Sequence, residues 1–120
     1  MAEIDVVYIE DDDIEAELFS LGLSTRGVNV LHIPDAEPKS LHLLQKAPYA
    51  TARAIFIDFW IGVVSGLDVA RSLRENGDIR PFFLLTAGEN PDPNMLKQLN
   101  IIYLQKPANY NKVANAISAL

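Results

Sequence analysis

The chain contains no cysteine, only two histidines and no long hydrophobic run. Without cysteine it forms no disulfide, no thiolate metal site and no reactive thiol, so a bound metal would need oxygen ligands. None of its apolar runs approaches the roughly 20 residues that a membrane-spanning helix needs. Residues 1–5 lack the basic end and apolar core of a signal peptide. We therefore expect a cytoplasmic protein.

Basic residues are also few, and they are scattered along the chain. The 120 residues include 10 Lys and Arg against 16 Asp and Glu, which gives a formal net charge of −6. A surface that binds nucleic acid or anionic lipid would need a cluster of basic side chains. We therefore expect no direct contact with nucleic acid and none with a membrane. The length suits one domain, residues 1–120, built around a single core.

Short apolar runs alternate with segments of helical spacing. Runs rich in β-branched and aromatic residues predict strands over 4–9, 28–33, 53–60, 82–86 and 101–104. The apolar positions of the five intervening or final helices are Ile14, Leu18 and Leu21; Leu41, Leu44 and Ala47; Val69, Ala70 and Leu73; Leu96 and Leu99; and Val113, Ala116, Ile117 and Leu120. This alternation predicts an α/β fold with a parallel sheet covered on both faces. The expected strand order is 2-1-3-4-5, the doubly wound, flavodoxin-like arrangement.

Polar side chains of a particular kind follow four of these strands. They are Glu10 and Asp11 after the first strand, Asp58 at the end of the third, Thr86 at the end of the fourth and Lys106 after the fifth. In the expected order these four strands are neighbours, so their carboxyl ends would line one pocket. Three carboxylates would repel one another unless a cation lay between them, and Mg²⁺, or the similar Mn²⁺, suits such ligands. A carboxylate, a metal site, an ammonium and a hydroxyl together are what formation of an aspartyl phosphate requires.

Four segments together resemble the receiver domains of two-component response regulators, over essentially the full length of the chain. They are Ile9-Glu10-Asp11-Asp12, Ile57-Asp58 with Gly66 eight positions on, Leu85-Thr86-Ala87, and Tyr103-Leu104-Gln105-Lys106-Pro107. Each segment alone is a weak signal, but their order and spacing are specific. The resemblance implies a chemotaxis-receiver-like domain that acts in a phosphorelay and catalyses at most its own phosphorylation and slow autodephosphorylation.

The same resemblance implies a role for each polar residue. Asp58 would accept a phosphoryl group from a sensor histidine kinase or a phosphotransfer protein. The metal would be bound by Glu10, Asp11, Asp58 and the backbone carbonyl of Trp60. Each of these roles is transferred from the family to the residue at the matching position of this sequence.

The resemblance also implies a switch. Lys106 and Thr86 would hold the phosphoryl oxygens, and Thr86 would move toward them. Tyr103 would turn inward as Thr86 moves and reshape the face formed by the fourth helix, the fifth strand and the fifth helix, where a downstream effector protein binds. The peptide bond from Lys106 to Pro107 would be cis, which only an X-Pro bond adopts at modest cost.

Two departures from the family pattern leave an alternative open. Gly62 stands four residues after the acceptor, where the family commonly has proline, and residues 86–106 are slightly short, which favours an abbreviated fourth helix. The alternative is a receiver-fold protein-interaction module that works without phosphorylation. A flavin carrier of the same fold is disfavoured because residues 10–13 are all acidic and would repel the flavin phosphate. A phosphohydrolase is disfavoured because the chain has no room for a cap domain.

Overall fold

The computed structural model describes residues 4–120, and over that range it contains seven strands and five α-helices. The strands are β1 (Val6–Ile9), β2 (Val30–Ile33), β3 (Ala54–Asp58), β4 (Trp60–Ile61), β5 (Val64–Ser65), β6 (Phe82–Thr86) and β7 (Ile101–Gln105). The helices are α1 (Asp13–Ser24), α2 (Pro38–Leu41), α3 (Gly66–Glu75), α4 (Pro93–Leu99) and α5 (Tyr110–Ser118). Two 3₁₀ turns, His42–Gln45 and Tyr49–Thr51, follow α2.

Five of the strands form one parallel sheet in the order β2-β1-β3-β6-β7. Because β4 and β5 pair only with each other, this order is the predicted 2-1-3-4-5 order, and the prediction is confirmed. In the central strand, Ile57 lies opposite Ile9 of β1 on one side and Leu84 of β6 on the other. The carboxyl ends of β1, β3, β6 and β7 therefore lie side by side.

Alternating side chains of β3 divide the core between the two faces of the sheet. Ile55 and Ile57 pack with the residues of α3, while Phe56 packs with α1 and α5 on the opposite face. The rings of Phe56 and Phe83 stack with centroids 4.5 Å apart and planes 9° apart, a contact worth about 1 kcal/mol beyond the area it buries. Since β1, β3 and β6 are buried on both faces, their sequences are nearly continuously apolar.

The first helix forms where it was predicted, but a different stripe of it faces the core. Ile14, Leu18 and Leu21, whose spacing predicted the helix, are 71%, 58% and 61% exposed. The buried residues are Ala16, Phe19 and Leu23, which also recur at helical spacing. The Phe19 ring packs 4.3 Å from that of Tyr8 and so fixes which face is inward. The prediction of the helix is confirmed, and the apolar positions assigned to it do not form its buried face.

The second helix is much shorter than the spacing of Leu41, Leu44 and Ala47 predicted. Only Pro38–Leu41 is α-helical; a 3₁₀ turn follows, and Lys46 is extended. Proline disfavours helical backbone at the residue before it, so Pro48 keeps Ala47 out of the helix. The predicted continuous helix is therefore wrong.

The segment after Asp58 forms a small antiparallel hairpin. Trp60 pairs with Ser65 and Ile61 with Val64, and Gly62 takes a φ of +62° at the tip. That φ suits glycine, whereas proline is fixed near −65°. Ser65 ends the hairpin and caps α3 by accepting a hydrogen bond from the Leu67 N–H at 3.2 Å.

Of the two helices nearest the carboxyl end, α4 matches its prediction and α5 ends before the last residue assigned to it. The fourth helix has seven residues and is capped by Asp92, which matches the predicted short helix. The fifth ends at Ser118, so Leu120 lies outside it and is 48% exposed. None of the helices in residues 4–120 has the length and apolar character that crossing a bilayer would take.

Candidate functional site at the strand ends

Asp58 is the last residue of β3 and is only 8% exposed. The loop that follows folds back over it, because the Gly66 N–H donates a hydrogen bond to the Phe59 carbonyl at 2.6 Å. A Cβ on Gly66 would lie well inside 3.0 Å of the Asp58 carbonyl oxygen and 2.9 Å from the Leu84 side chain. Glycine at position 66 therefore allows the close approach that shapes the pocket around Asp58.

Lys106 reaches Asp58 from the end of β7. Its N–H donates to the Thr86 carbonyl at 2.7 Å, which continues the pairing of β7 with β6 beyond the strand. Its ammonium is in direct contact with the Asp58 carboxylate. The peptide bond from Lys106 to Pro107 is cis, as predicted. The structure thus brings together the two residues that the proposed phosphoryl chemistry depends on most.

Glu10 lies beside them and is almost fully buried, with 1% of its surface exposed. One of its carboxylate oxygens accepts a hydrogen bond from the Tyr8 hydroxyl at 3.0 Å, and the other accepts one from the Asp12 N–H at 3.1 Å. The Lys106 ammonium is 3.6 Å from the Tyr8-bonded oxygen. Glu10 is therefore held in one orientation by contacts on both carboxylate oxygens.

Burial and charge shift the pKa values of these groups in different directions. Burial raises the pKa of the Glu10 carboxyl to about 8. Burial also raises the pKa of Asp58, although the Lys106 ammonium opposes that rise. Burial by itself would lower the pKa of Lys106, but its bonds to Asp58 and Glu15 outweigh this and hold that pKa above its usual range. In the absence of a bound cation, Glu10 is thus largely protonated near pH 7.

The raised pKa of Glu10 predicts that the protein becomes less stable as the pH rises from about 5 to about 8. In this window the folded state keeps a proton on Glu10 that the unfolded chain, with a pKa near 4.5, has lost. The free energy of unfolding should fall by up to about 1.4 kcal/mol per pH unit. Urea unfolding in EDTA at several pH values measures this. Glu10→Gln should flatten the profile, and a wild-type profile that rises across the window contradicts the prediction.

The structure adds Glu15 to the cluster, which the sequence reasoning missed. Carboxylate oxygens of Glu10, Glu15 and Asp58 all lie within 4.8 Å of one another, and Glu15 is in direct contact with the Lys106 ammonium. The signal available in the sequence was the cap at Asp12, which accepts hydrogen bonds from the N–H groups of residues 14 and 15 and so starts α1 beside the strand ends.

Asp11, which the resemblance assigned to the metal, is not a member of that cluster. It is exposed, and its carboxylate accepts a hydrogen bond from the Gly62 N–H at 2.8 Å. This bond ties the acidic turn after β1 to the tip of the hairpin after β3. Asp11 therefore lies beside the pocket with its carboxylate directed to the hairpin, and its metal role stays a prediction.

The three remaining predicted residues are Thr86, Trp60 and Tyr103. Thr86 is fully buried at the end of β6, and its hydroxyl has no hydrogen-bond partner among residues 4–120. The backbone of Trp60 forms a hydrogen bond with the Asp58 carboxylate, which lowers the pKa of Asp58. Tyr103 is half-buried on β7, opposite Leu84 of β6. The metal role of the Trp60 carbonyl and the switch role of Tyr103 stay predictions.

The donor set of the pocket is suited to a hard divalent cation. Its carboxylates supply only oxygen ligands, which is what Mg²⁺ prefers, and three of them lie close enough together to share one ion. The residues that could hold it are Glu10 and Asp58, with Glu15 inside the cluster and Asp11 beside it.

Comparison with known proteins agrees with this architecture. No protein-family model and no curated protein sequence matches the chain. Solved structures do match: the chemotaxis protein CheY4 of Vibrio cholerae superimposes with a TM-score of 0.80 at 21% identity, over 98% of each chain. A CheY-like response regulator receiver domain from Methylobacillus flagellatus gives a TM-score of 0.81 at 21% identity, again over 98% of each chain. The chain has the receiver fold.

A third structure shows how completely the receiver fold accounts for the chain. A response regulator receiver protein from Pseudomonas putida matches with a TM-score of 0.77 at 20% identity, over 100% of this chain and 99% of its own. Since about four residues in five differ, the likeness establishes the receiver fold alone. What the pocket does follows from its side chains.

Proposed function

We propose that the chain is a single receiver domain that accepts a phosphoryl group on Asp58 from a histidine kinase or phosphotransfer protein, acting in the cytoplasm. The observation that supports this most is the contact between the Asp58 carboxylate and the Lys106 ammonium at adjoining strand ends. A nucleophilic carboxylate with a lysine beside it provides both the attacking atom and a charge for the group that arrives.

The transfer step is a displacement at phosphorus. A carboxylate oxygen of Asp58 forms a new bond to phosphorus as the bond from phosphorus to the donor atom breaks. That donor atom is the ring nitrogen of a phosphohistidine, or the carboxyl oxygen of acetyl phosphate, and it leaves with the electron pair. The product is a mixed anhydride on Asp58, which water later hydrolyses to restore the carboxylate. The domain catalyses only this modification of itself.

Lys106 and Thr86 would hold the transferred group. The Lys106 ammonium stabilises the negative charge that spreads over the phosphoryl oxygens, and the Thr86 hydroxyl can donate a hydrogen bond to one of them. A divalent cation held by Glu10, Asp11 and Asp58, with the Trp60 carbonyl, would supply further charge neutralisation.

The output of the domain would be a protein-binding face formed by α4, β7 and α5. Movement of Thr86 toward the phosphoryl group would free space for Tyr103, which is half-buried on β7. This is a local change of charge that biases a packed element with two arrangements. An effector protein that reads this face completes the proposed signalling role.

A second candidate function is a receiver-fold interaction module that works without phosphorylation. The observation that favours it is that charged groups of the pocket already have partners. Asp11 accepts a hydrogen bond from the Gly62 N–H, and carboxyl groups surround the Lys106 ammonium. In that case the docking face would be constitutive.

Incubation with acetyl phosphate and Mg²⁺, followed by intact-protein mass spectrometry, tests the proposed function. We expect a mass gain of one phosphoryl group in the wild type and none in Asp58→Asn. Asp68→Asn is the matched control, because Asp68 is an exposed carboxylate on α3 whose only salt bridge within residues 4–120 is with Arg71. If the wild type and Asp58→Asn give the same spectrum, the phosphoacceptor proposal fails and the interaction module is favoured.

A further inference from the structure

Glu15 occupies a position on Lys106 that the proposed chemistry requires. An ammonium has three N–H donors. That of Lys106 is in direct contact with the Asp58 and Glu15 carboxylates, and the Glu10 carboxyl group lies 3.6 Å away. A phosphoryl oxygen that approaches Lys106 therefore competes with these groups for the ammonium.

The three carboxylates differ in how firmly they are held. Asp58 is the proposed acceptor and remains in place during transfer. Glu10 is 1% exposed and is fixed by the Tyr8 hydroxyl and the Asp12 N–H. The side chain of Glu15 is 38% exposed, and within the part of the chain that the structure describes its carboxylate has no bonded partner other than Lys106. Glu15 is therefore the group that an incoming phosphoryl group displaces.

We propose that Glu15 is an internal competitor of the phosphoryl group for Lys106, so that it sets how fast Asp58 is phosphorylated. This inference rests on the proposed function and deepens it. Glu15 acts in two ways, both through its charge. It occupies a donor of Lys106, and its carboxylate repels the anionic donor that approaches Asp58. Glu15 is a positioning residue, since it acts on the transferred group through Lys106.

The position of Glu15 in the fold allows its side chain to leave Lys106 without movement of the α1 backbone. Glu15 lies in the first turn of α1, whose N–H groups are capped by Asp12, so its backbone is fixed while its side chain reaches across to the end of β7. When the phosphoryl group takes its place on Lys106, only the Glu15 side chain has to move, and solvent is open to it. The displaced state thus requires no rearrangement of the helix.

The test compares Glu15→Gln with Glu17→Gln. Both variants remove one carboxylate from α1, but Glu17 is exposed and has no contact with Lys106. We expect the rate constant for phosphorylation of Asp58 by acetyl phosphate in Mg²⁺ to rise at least tenfold in Glu15→Gln and less than twofold in Glu17→Gln. Equal rates in the two variants overturn the inference, because a general charge effect then explains the result.

Calorimetric titration with Mg²⁺ alone separates this role from that of a metal ligand. A competitor on Lys106 should leave the Mg²⁺ dissociation constant within about threefold of the wild type in Glu15→Gln. If Mg²⁺ binding weakens tenfold or more and phosphorylation slows, Glu15 is a metal ligand and the inference is wrong.

The outcomes also distinguish this inference from the proposed function. If Asp58→Asn abolishes the mass gain but Glu15→Gln matches the wild-type rate, only the role of Glu15 fails. If neither the wild type nor Glu15→Gln gains a phosphoryl group, both proposals fail together. A wild type that is modified slowly and a Glu15→Gln variant that is modified rapidly at Asp58 supports both.

Discussion

Gly66→Ala is expected to lower the free energy of unfolding by about 3 kcal/mol, the upper end of what overpacking usually does. The added methyl group would meet the Asp58 carbonyl oxygen well inside 3.0 Å and the Leu84 side chain at 2.9 Å. A backbone atom in a central strand cannot turn away as a flexible side chain can, so the hairpin and the start of α3 would have to move. Urea unfolding monitored by circular dichroism measures the loss.

The matched control is Gly27→Ala. Gly27 has a φ of +78°, which strains an alanine, but no atom of a non-adjacent residue in the described range 4–120 lies within 4 Å of its would-be Cβ. That variant should lose only about 1–2 kcal/mol, the cost of left-handed backbone. A loss in Gly66→Ala no larger than that in Gly27→Ala would show that the loop relaxes freely around position 66.

Lys106→Met is expected to slow phosphorylation of Asp58 by a factor of about 100 or more, the usual effect of removing one charged or hydrogen-bonding group that stabilises a transition state. Methionine keeps most of the length and apolar surface of lysine, so packing is largely preserved. The rate of mass gain with acetyl phosphate measures the effect.

Removal of Lys106 should also change stability in a way that depends on pH. Asp58 and Glu15 lose the ammonium that contacts both of them, and a buried carboxylate without a partner is strongly destabilising. The variant should therefore lose more stability at pH 8 than at pH 5, where its carboxyl groups can bind protons. Lys112→Met, an exposed lysine on α5, is the control for both measurements. A rate for Lys106→Met equal to that of Lys112→Met would exclude a role for Lys106 in the chemistry.

The sheet was predictable because its central strands are buried on both faces. Such strands are nearly continuous apolar runs, and in a sheet of known order the residue that follows each run must lie at the carboxyl edge. Asp58 and Lys106 were therefore expected to be neighbours although they are 48 positions apart, and the structure confirms their contact. The strand order was therefore enough to predict that these two side chains lie at the same edge of the sheet.

The helices were less predictable, because spacing alone does not identify the buried stripe. In α1, residues 14, 18 and 21 and residues 16, 19 and 23 both recur at helical spacing, and only the second set is buried. The larger apolar side chains of the first set favoured the wrong face. The contact of Phe19 with Tyr8 decides between the two faces, and it depends on tertiary packing.

The same limit explains why Glu15 was missed. Its place in the pocket depends on the rotation of α1 about its own axis, and the apolar pattern assigned a different face of α1 to the core.

The hairpin of β4 and β5 was missed for a different reason. Its two-residue strands are too short to show an alternating pattern.

The buried Thr86 hydroxyl gives the resting protein a small energetic bias. A hydroxyl shut away from water without a partner costs about 1–3 kcal/mol, and that of Thr86 has none among the residues that the structure covers. Any arrangement that offers it an acceptor recovers this energy. A recovery of that size changes the ratio of two conformations by roughly 5- to 150-fold, which is enough to convert a minor population into the dominant one.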